Sequence, residues 1–368
     1  MRKTKLIVKT SSKVYPIIIG SNILKNISSI LKSNKINLNK CLIIADKKVP
    51  KKNLLTLKKQ ISSKTKLIHL FNSSEKNKNQ VNVNIILKKL FKNNFNRDDC
   101  IISLGGGITG DVVGFAASIF KRGLKFINIP TTLLAQVDSS IGGKTGINNH
   151  YGKNLIGSFY QPDLVISDVK ILNSLPQREI ICGYGEMLKH SIIDSKKTFY
   201  YLDKYKFKIL NLKSPFIEKA ICESCKIKKN IVQLDEKEKN IRKVLNLGHT
   251  FAHAYEASLN YSKKLNHGEA VILGIISAIK FSLNNNNLLK NDLIKILNHI
   301  QKLELPYNLK KYFKKKDINS ILKFMKTDKK NTSSKINLIL IKGIGKTLLN
   351  YSFSQDRLKK FFKEELVN

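Results

Sequence analysis

Acidic residues are scarce in this sequence, since 26 Asp and Glu stand against 67 Lys and Arg and leave a formal net charge of +41. Long apolar runs are missing too, and none approaches the roughly 18 to 20 residues that a membrane-spanning helix needs. Residues 1–10 hold early cations but no apolar stretch after them, which argues against a secretory signal. These absences predict an intracellular protein with no membrane partner.

Cysteine is also rare, and Cys41, Cys100, Cys182, Cys222 and Cys225 form an odd count in a chain of 368 residues. A sparse, odd set fits the reducing cytoplasm and excludes a disulfide framework. Cys222 and Cys225 form a C-x-x-C, but no second pair accompanies it, so neither a zinc nor a redox role is predicted.

Clustered arginines and interleaved aromatics, which nucleic-acid surfaces combine, are absent as well. The lysines are scattered over the whole chain together with Asn and Ile, and runs such as Lys314-Lys315-Lys316 are interpreted as solvated faces. We predict no specific nucleic-acid partner, although so large a charge steers anionic small molecules and favours weak nucleic-acid binding at low salt.

The pattern that is present changes near Leu175-Pro176. Before it, β-rich runs alternate with helical stretches, which is typical of a parallel sheet covered by helices. The runs lie at residues 6–8, 14–19, 41–45, 67–71, 100–104, 126–129 and 164–167. After it come helical patterns at 214–234, 244–259 and 270–281, a hairpin pattern at 336–341 and 346–349, and an amphipathic helix at 355–366. We predict an α/β domain with a Rossmann-like parallel sheet at residues 1–176 and a mainly α-helical domain at residues 177–368.

A glycine-rich loop, Gly105-Gly106-Gly107-Ile108-Thr109-Gly110-Asp111, directly follows the run at 100–104 and opens a helix-like segment. Read as G-x-G-x-x-G, it offers the tight turn, close backbone approach and free helix N–H groups that a pyrophosphate needs. No acidic residue ends a strand about 20 residues later, so Asp46, after the run at 41–45, is the alternative for the ribose. The loop predicts nucleotide or phosphate binding, and glycines that serve only strand–helix packing are the alternative.

Four further clusters of cations, small residues and hydroxyl groups lie between residues 121 and 154. They are Lys121-Arg122-Gly123, Pro130-Thr131-Thr132, Asp138-Ser139-Ser140-Ile141-Gly142-Gly143-Lys144-Thr145-Gly146 and Gly152-Lys153-Asn154. We expect loops beyond the strands, where glycines let backbone donors approach an anion and lysines supply charge. Ordinary turn chemistry is the alternative.

Three histidines and a glutamate form a candidate metal site. His249 and His253 are four residues apart in a helix-like stretch and share one face, and His267 follows in Asn266-His267-Gly268-Glu269. Glu186 lies in Gly183-Tyr184-Gly185-Glu186-Met187-Leu188-Lys189. Two His and one Glu leave a fourth position open, as in catalytic zinc sites. The residues alone leave open which two histidines serve.

Taken together, these segments resemble the 3-dehydroquinate synthase family. The matches lie at residues 105–118, 122–146, 152–162, 183–189, 245–256 and 267–274, in the family's order and at nearly its spacing. The resemblance implies that 3-deoxy-D-arabino-heptulosonate 7-phosphate becomes 3-dehydroquinate and phosphate in the shikimate pathway. By the same resemblance, NAD⁺ is expected to oxidise the substrate transiently, after which phosphate would leave by β-elimination, the ketone would be reduced again, and an intramolecular aldol step would close the ring.

The resemblance also implies roles for individual residues. The implied ligands of one divalent ion, zinc or cobalt, are Glu186, His249 and His267. The implied NAD contacts are Asp46, Ser73, Ser74, Glu75, Lys76, Asn77, Lys78, Gly105, Gly106, Gly107, Ile108, Thr109, Gly110, Asp111, Thr131, Thr132, Lys144, Lys153, Ile171, Leu172, Asn173 and Ser174. The implied catalytic residues are Asp138, Lys144, Lys189, Asn246 and His253, and the implied substrate-binding residues are Arg122, Asn154, Lys228, Arg242 and Lys346. Arg122 is implied to reach the neighbouring subunit's site, which predicts a homodimer.

Other functions share this fold. Polyol dehydrogenases of the glycerol dehydrogenase type and other sugar-phosphate cyclases use similar domains, but Lys228, Arg242 and Asn246 favour a carboxylated substrate. An inactive relative is disfavoured because all three implied metal ligands are present.

Overall fold

The computed structural model describes residues 3–285, 290–326 and 335–367. The strands are β1 (Thr4–Lys9), β2 (Val14–Gly20), β3 (Lys40–Asp46), β4 (Thr65–Phe71), β5 (Cys100–Gly105), β6 (Lys125–Pro130), β7 (Lys144–Asn149), β8 (Gly152–Phe159), β9 (Leu164–Asp168), β10 (Ile336–Gly343) and β11 (Lys346–Phe353). The α-helices are α1 (Ile27–Ser33), α2 (Lys51–Gln60), α3 (Gln80–Lys92), α4 (Gly107–Ile119), α5 (Gln177–Asp194), α6 (Lys196–Leu210), α7 (Phe216–Leu234), α8 (His249–Ser258), α9 (His267–Asn284), α10 (Lys290–Lys302), α11 (Ile318–Lys326) and α12 (Gln355–Val367). None of the helices in these ranges is both long and apolar enough to cross a lipid bilayer.

Seven strands form one sheet in the order β1-β2-β9-β6-β5-β3-β4. Only the pair β1–β2 is antiparallel, and the other neighbours run parallel. Successive residues point to opposite faces, so Ile43 and Ile102 enter one hydrophobic core while Leu42 and Ile101 enter the other. Burial on both faces explains why β3 and β5 read as continuous apolar runs. The predicted parallel sheet is confirmed.

The direction of the chain through the sheet changes between β3 and β5. From β3 the chain passes through α2 to β4 at one edge, whereas β5, β6 and β9 follow on the other side. Open parallel sheets bind ligands beyond the carboxyl ends of their strands at such a switch point. Asp46 ends β3 and Gly105 ends β5, so both predicted nucleotide contacts lie there.

Two of the predicted loops are strands. Residues 144–146 and 152–154 belong to β7 and β8, which form an antiparallel hairpin in which Gly146 faces Gly157. A Cβ on Gly157 would lie 2.1 Å from the carbonyl oxygen of Thr145. The glycines that suggest turns therefore permit a close backbone approach within a hairpin.

The predicted helix at 244–259 is two segments. A 3₁₀ segment, Ile241–Asn246, comes first, and α8 begins only at His249. Gly248 separates them with φ +78°, a conformation that favours glycine. A Cβ on Gly274 of α9 would lie 2.2 Å from the carbonyl oxygen of Gly248. Glycine at both positions thus lets α9 pack directly against the start of α8.

The chain divides into two compact units. One comprises Met1–Ile180 and Leu212–Lys237, and the other comprises Ile181–Asn211 and Glu238–Asn368. The second is mainly helical and holds the predicted hairpin, β10 with β11, and the predicted C-terminal helix, α12. The units differ from the predicted domains 1–176 and 177–368 chiefly because α7 belongs with the N-terminal sheet.

Glu236 fixes the returning segment to the sheet. α7 packs against β1 and β2, and just beyond it the Glu236 carboxylate accepts hydrogen bonds from Ser11 Oγ at 2.5 Å, Ser12 N at 3.0 Å and Gln161 Nε2 at 2.7 Å. Ser12 Oγ donates to it as well. Burial acts to raise the pKa of Glu236, but these donors outweigh burial and lower the pKa to about 2.

We expect the Glu236 carboxylate to make the free energy of unfolding decrease at acidic pH. Its folded pKa lies below the ordinary value of 4.5, so its contribution is complete above about pH 4.5 and is lost as the pH falls towards 2. Between about pH 6 and about pH 3, the unfolding free energy of the unaltered protein should fall by about 1 kcal/mol more than that of Glu236→Gln, allowing for solvent screening. Urea unfolding at each pH measures this. Glu223→Gln, on the preceding helix α7, is the control, and an equal acid dependence in all three proteins would contradict the assignment.

Candidate active site

Glycine contacts bring α5 against the first turn of α9. A Cβ on Gly268 would lie 2.2 Å from the Cα of Cys182, and a Cβ on Gly185 would lie 3.0 Å from the carbonyl oxygen of Gly268. Only helices without side chains at these points approach so closely. The contact places Glu186, the next residue of α5, near His267, the first residue of α9.

Glu186, His249 and His267 form a compact group. Their potential ligand atoms all lie within 4.8 Å of one another, and His249 Nε2 is 3.5 Å from Glu186 Oε1. The Glu186 side chain is fully buried, yet neither carboxylate oxygen has a hydrogen-bond partner among the described residues. The Lys189 ammonium touches Oε2, but outside hydrogen-bond geometry. A buried carboxylate with unfilled oxygens beside two imidazoles fits a divalent cation.

His253 lies outside this group, although it shares a face of α8 with His249. Its ring centroid is 5.4 Å from that of His249 and 6.3 Å from that of His267, and the residue is exposed. Of the three candidate histidines, the geometry therefore brings His249 and His267 to Glu186 and leaves His253 beside them.

Sequence reasoning missed Glu256. Its Oε2 lies 3.0 Å from His267 Nδ1. Burial of the His267 ring acts to lower its pKa, but the charge and hydrogen bond of Glu256, with the charge of Glu186, raise the pKa overall. The available signal was spacing, because Glu256 follows His249 by seven residues and so shares its helical face.

In the first unit, the glycine-rich loop joins β5 to α4. A Cβ on Gly105 would lie 2.5 Å from Thr109 Oγ1, and one on Gly107 would lie 2.9 Å from Ser139 Oγ. The glycines are thus needed for packing, and they also leave the N–H groups of the first turn of α4 without side chains in front of them. Such a helix start at the switch point fits the pyrophosphate of a dinucleotide.

Lys78 connects three predicted contact segments. Its ammonium lies 2.5 Å from Asp111 Oδ2 and 2.5 Å from Asn154 Oδ1, and only 4% of the residue is exposed. Burial acts to raise the pKa of Asp111, and the Lys78 charge opposes that rise. Glu75 of the same loop accepts a hydrogen bond of 2.7 Å from Asn148 on β7. The loop at 73–78 is therefore held against α4 and the β7–β8 hairpin.

Asp138 lies in a π-helical turn, Ala135–Ser139. Lys228 of α7 donates to its main-chain oxygen at 2.6 Å and to its Oδ1 at 2.7 Å. π-Helical turns are rare and occur frequently at functional sites. The Asp138 carboxylate of this turn therefore lies beside the Lys228 ammonium of α7.

Comparison with known proteins agrees with this geometry. Residues 68–182 match the family model for the N-terminal part of 3-dehydroquinate synthase, and residues 183–331 match that for the C-terminal part. The chain belongs to the 3-dehydroquinate synthase family. The predicted family and enzyme class, a lyase, are confirmed.

Individual relatives cover the whole chain. A 3-dehydroquinate synthase from Pelagibacter ubique (strain HTCC1062) is 58% identical over 363 residues, which are 99% of each chain. One from Bartonella tribocorum (strain CIP 105476 / IBS 506) is 37% identical over 383 residues, covering 100% of this chain and 99% of the relative. The crystal structure of 2-deoxy-scyllo-inosose synthase complexed with carbaglucose-6-phosphate, NAD⁺ and Co²⁺ superimposes with a TM-score of 0.86 at 25% identity, over 99% of this chain and 100% of that one. The predicted fold class is confirmed.

The other residues implied by the 3-dehydroquinate synthase resemblance are divided between the units. In the first unit, Asp46 is buried, and Arg122 is exposed after α4. Thr131 and Thr132 follow β6, Lys144 and Lys153 lie in the hairpin, and residues 171–174 lie in the helical turn Val169–Ser174. In the second unit, Arg242 is buried, Asn246 donates to Glu238 Oε1 at 2.7 Å, and Lys346 is exposed at the start of β11. The role of each residue stays a prediction.

Replacing Glu186 tests the metal assignment directly. We expect Glu186→Gln to bind Co²⁺ roughly 100-fold more weakly, since a neutral amide replaces the charged ligand. Titration calorimetry on protein stripped with a chelator measures the affinity. Glu179→Gln, an exposed change on the same helix, should leave it unaltered. Equal Co²⁺ affinity in all three proteins would show that Glu186 is not a metal ligand.

Proposed function

We propose that this chain converts 3-deoxy-D-arabino-heptulosonate 7-phosphate to 3-dehydroquinate and phosphate, a step of the shikimate pathway to aromatic amino acids. The observation that carries the proposal is the buried Glu186 carboxylate, which has no hydrogen-bond partner among the described residues and lies beside His249 and His267. Full-length similarity to named 3-dehydroquinate synthases supports it.

NAD and one divalent ion, zinc or cobalt, are the proposed cofactors. Glu186, His249 and His267 would hold the ion, and the glycine-rich loop with Asp46 and Lys78 would hold the dinucleotide. When bound, NAD⁺ would take up a hydride from C5 of the substrate and return it later, and the ion would polarise the C5 hydroxyl group. The 2-deoxy-scyllo-inosose synthase structure, complexed with NAD⁺ and Co²⁺, supports both cofactors.

Charged and polar side chains suit the two ends of the substrate. Lys144, Asn154 and Lys346 suit the phosphate, and Lys228 and Arg242 suit the carboxylate. Arg242 is 1% exposed, and a sheltered guanidinium is a strong partner for a carboxylate. The phosphate group itself would serve as the base for its own elimination.

A homodimer belongs to the same proposal. Leu155 and Phe159, two of the outward-facing residues of β8, are 43% and 42% exposed. β8 pairs only with β7 within the described ranges, so its outer edge offers backbone groups to another strand. Ser158 Oγ donates to Ser118 Oγ at 2.8 Å, and Arg122 follows Ser118 by four residues. An apolar strand edge beside an exposed arginine suits a second copy that receives Arg122. The five free cysteines support a reducing, cytoplasmic location.

The reaction predicts a specific cofactor balance. Phosphate release from 3-deoxy-D-arabino-heptulosonate 7-phosphate should require NAD⁺ and zinc or cobalt, stop after chelation and return when metal is added. NADH should not accumulate, because the hydride returns to the substrate. Parallel assays of phosphate and NADH absorbance test this. No release from folded, metal-loaded protein would refute the proposal, and net NADH formed from a polyol would favour the dehydrogenase alternative.

The dimer predicts an effect of charge on β8. Leu155→Lys should shift the protein towards the monomer in sedimentation velocity, because a lysine in an apolar interface loses hydration without gaining a partner. Val81→Lys, which replaces a residue that is 66% exposed on α3, is the matched control and should remain dimeric. A dimer unchanged by Leu155→Lys would exclude this face.

A further inference from the structure

Glu256 is not one of the three metal-ligand candidates, but it contacts one of them. His249, His253 and Glu256 occupy positions i, i+4 and i+7 of α8 and therefore share one face. Glu256 Oε2 lies 3.0 Å from Nδ1 of His267, the first residue of α9. Only 8% of Glu256 is exposed, so its carboxylate is sheltered from water, whereas the His267 side chain is 35% exposed. One helix thus contributes both a ligand and a group that holds the ligand of the next helix.

The two ligand histidines differ in what holds Nδ1. The Nδ1 atom of His249 lies 3.4 Å from the carbonyl oxygen of Leu247, while its Nε2 faces Glu186 at 3.5 Å. For His267 the acceptor is a carboxylate instead of a carbonyl. A proton held on Nδ1 leaves the Nε2 lone pair for a metal, and a carboxylate acceptor makes the ring a stronger donor to it.

Because His267 is the first residue of α9, the Glu256 carboxylate matters more for binding a cation at this position. A helix start carries positive partial charge, which opposes a cation bound to the first residue. Asn266 caps α9, and the nearby Glu269 carboxylate accepts a hydrogen bond of 2.9 Å from the Asn266 N–H in a capping box. Glu269 is therefore engaged at the cap, whereas Glu256 brings its negative charge to the ring.

We propose that Glu256 is a positioning residue of the metal centre: it fixes the Nδ1–H tautomer of His267, directs Nε2 towards Glu186 and His249, and so sets the affinity for a divalent cation. The proposal rests on the metal site of the proposed function and adds to it a determinant of affinity.

Co²⁺ titration of the full-length protein, stripped with a chelator, tests the proposal. Affinity is read by competition with a chelating dye, and ligand geometry by the visible absorption bands of Co²⁺. We expect Glu256→Gln to weaken binding roughly 10-fold, since the amide offers either of its atoms to Nδ1 and no longer fixes the tautomer. Glu256→Ala should weaken it up to about 100-fold and alter the absorption bands. Glu269→Gln, the matched control at the cap, should lower thermal stability and leave affinity and spectrum unchanged.

The outcomes separate this proposal from the one on which it rests. Unchanged affinity and spectrum in both Glu256 variants, with binding lost in Glu186→Gln, would overturn the positioning role and keep the metal site. Full binding in all variants, Glu186→Gln included, would refute the site itself. An equal loss in Glu269→Gln would assign the effect to the helix start and also overturn the proposal. If circular dichroism shows that Glu256→Ala does not fold, the near-isosteric Glu256→Gln decides the question.

Discussion

The positions of the metal-ligand candidates depend on one constraint, which is that three helices contact one another closely at glycine residues. Gly185 and Gly268 let α5 and α9 meet without intervening side chains, and Gly248 and Gly274 do the same for α8 and α9. Each ligand candidate is next in sequence to one of these glycines: Glu186 follows Gly185, His249 follows Gly248, and His267 precedes Gly268. A methyl group at a contact would move one helix against another, and a metal site tolerates only a few tenths of an ångström of such movement.

In the N-terminal unit the corresponding constraint is the order of strands. The reversal between β3 and β5 separates the loops at their carboxyl ends, and this separation opens a crevice for a ligand. Lys78 then ties the loop after β4 to α4 and to β8 through a buried ammonium with oxygen partners on both. Backbone topology selects the location, and one buried charge network fixes the loops around it.

The sequence predicted the elements whose pattern reflects burial. Every strand of the large sheet lies at an apolar run. In the central strands β3, β5 and β9, burial on both faces leaves no polar alternation to obscure the run. The β7–β8 hairpin was predicted as loops, since glycine needed for close backbone approach has the same composition as a turn. The break at Gly248 was missed because apolar spacing does not report the sign of φ.

The candidate site was predictable only in part for a related reason. His249 and His253 share a helical face, so spacing could not choose between them, and the choice depends on distances to Glu186 across helices. Glu256 looked like an ordinary helical carboxylate because its partner lies eleven residues away on α9. Residue types identify the chemistry that is available, whereas contacts between elements decide which residues use it.

The return of α7 to the N-terminal sheet has a consequence for synthesis on the ribosome. The last strand of the sheet ends at Asp168, yet the carboxylate that accepts hydrogen bonds from Ser11 and Ser12 belongs to Glu236. The first unit therefore cannot close until Glu236 has been made, which is 68 residues after Asp168. During that interval β1 and β2 lack the helix that packs against them, so the nascent sheet exposes apolar surface to chaperones, and a fragment ending at the predicted domain boundary would be an unfinished fold.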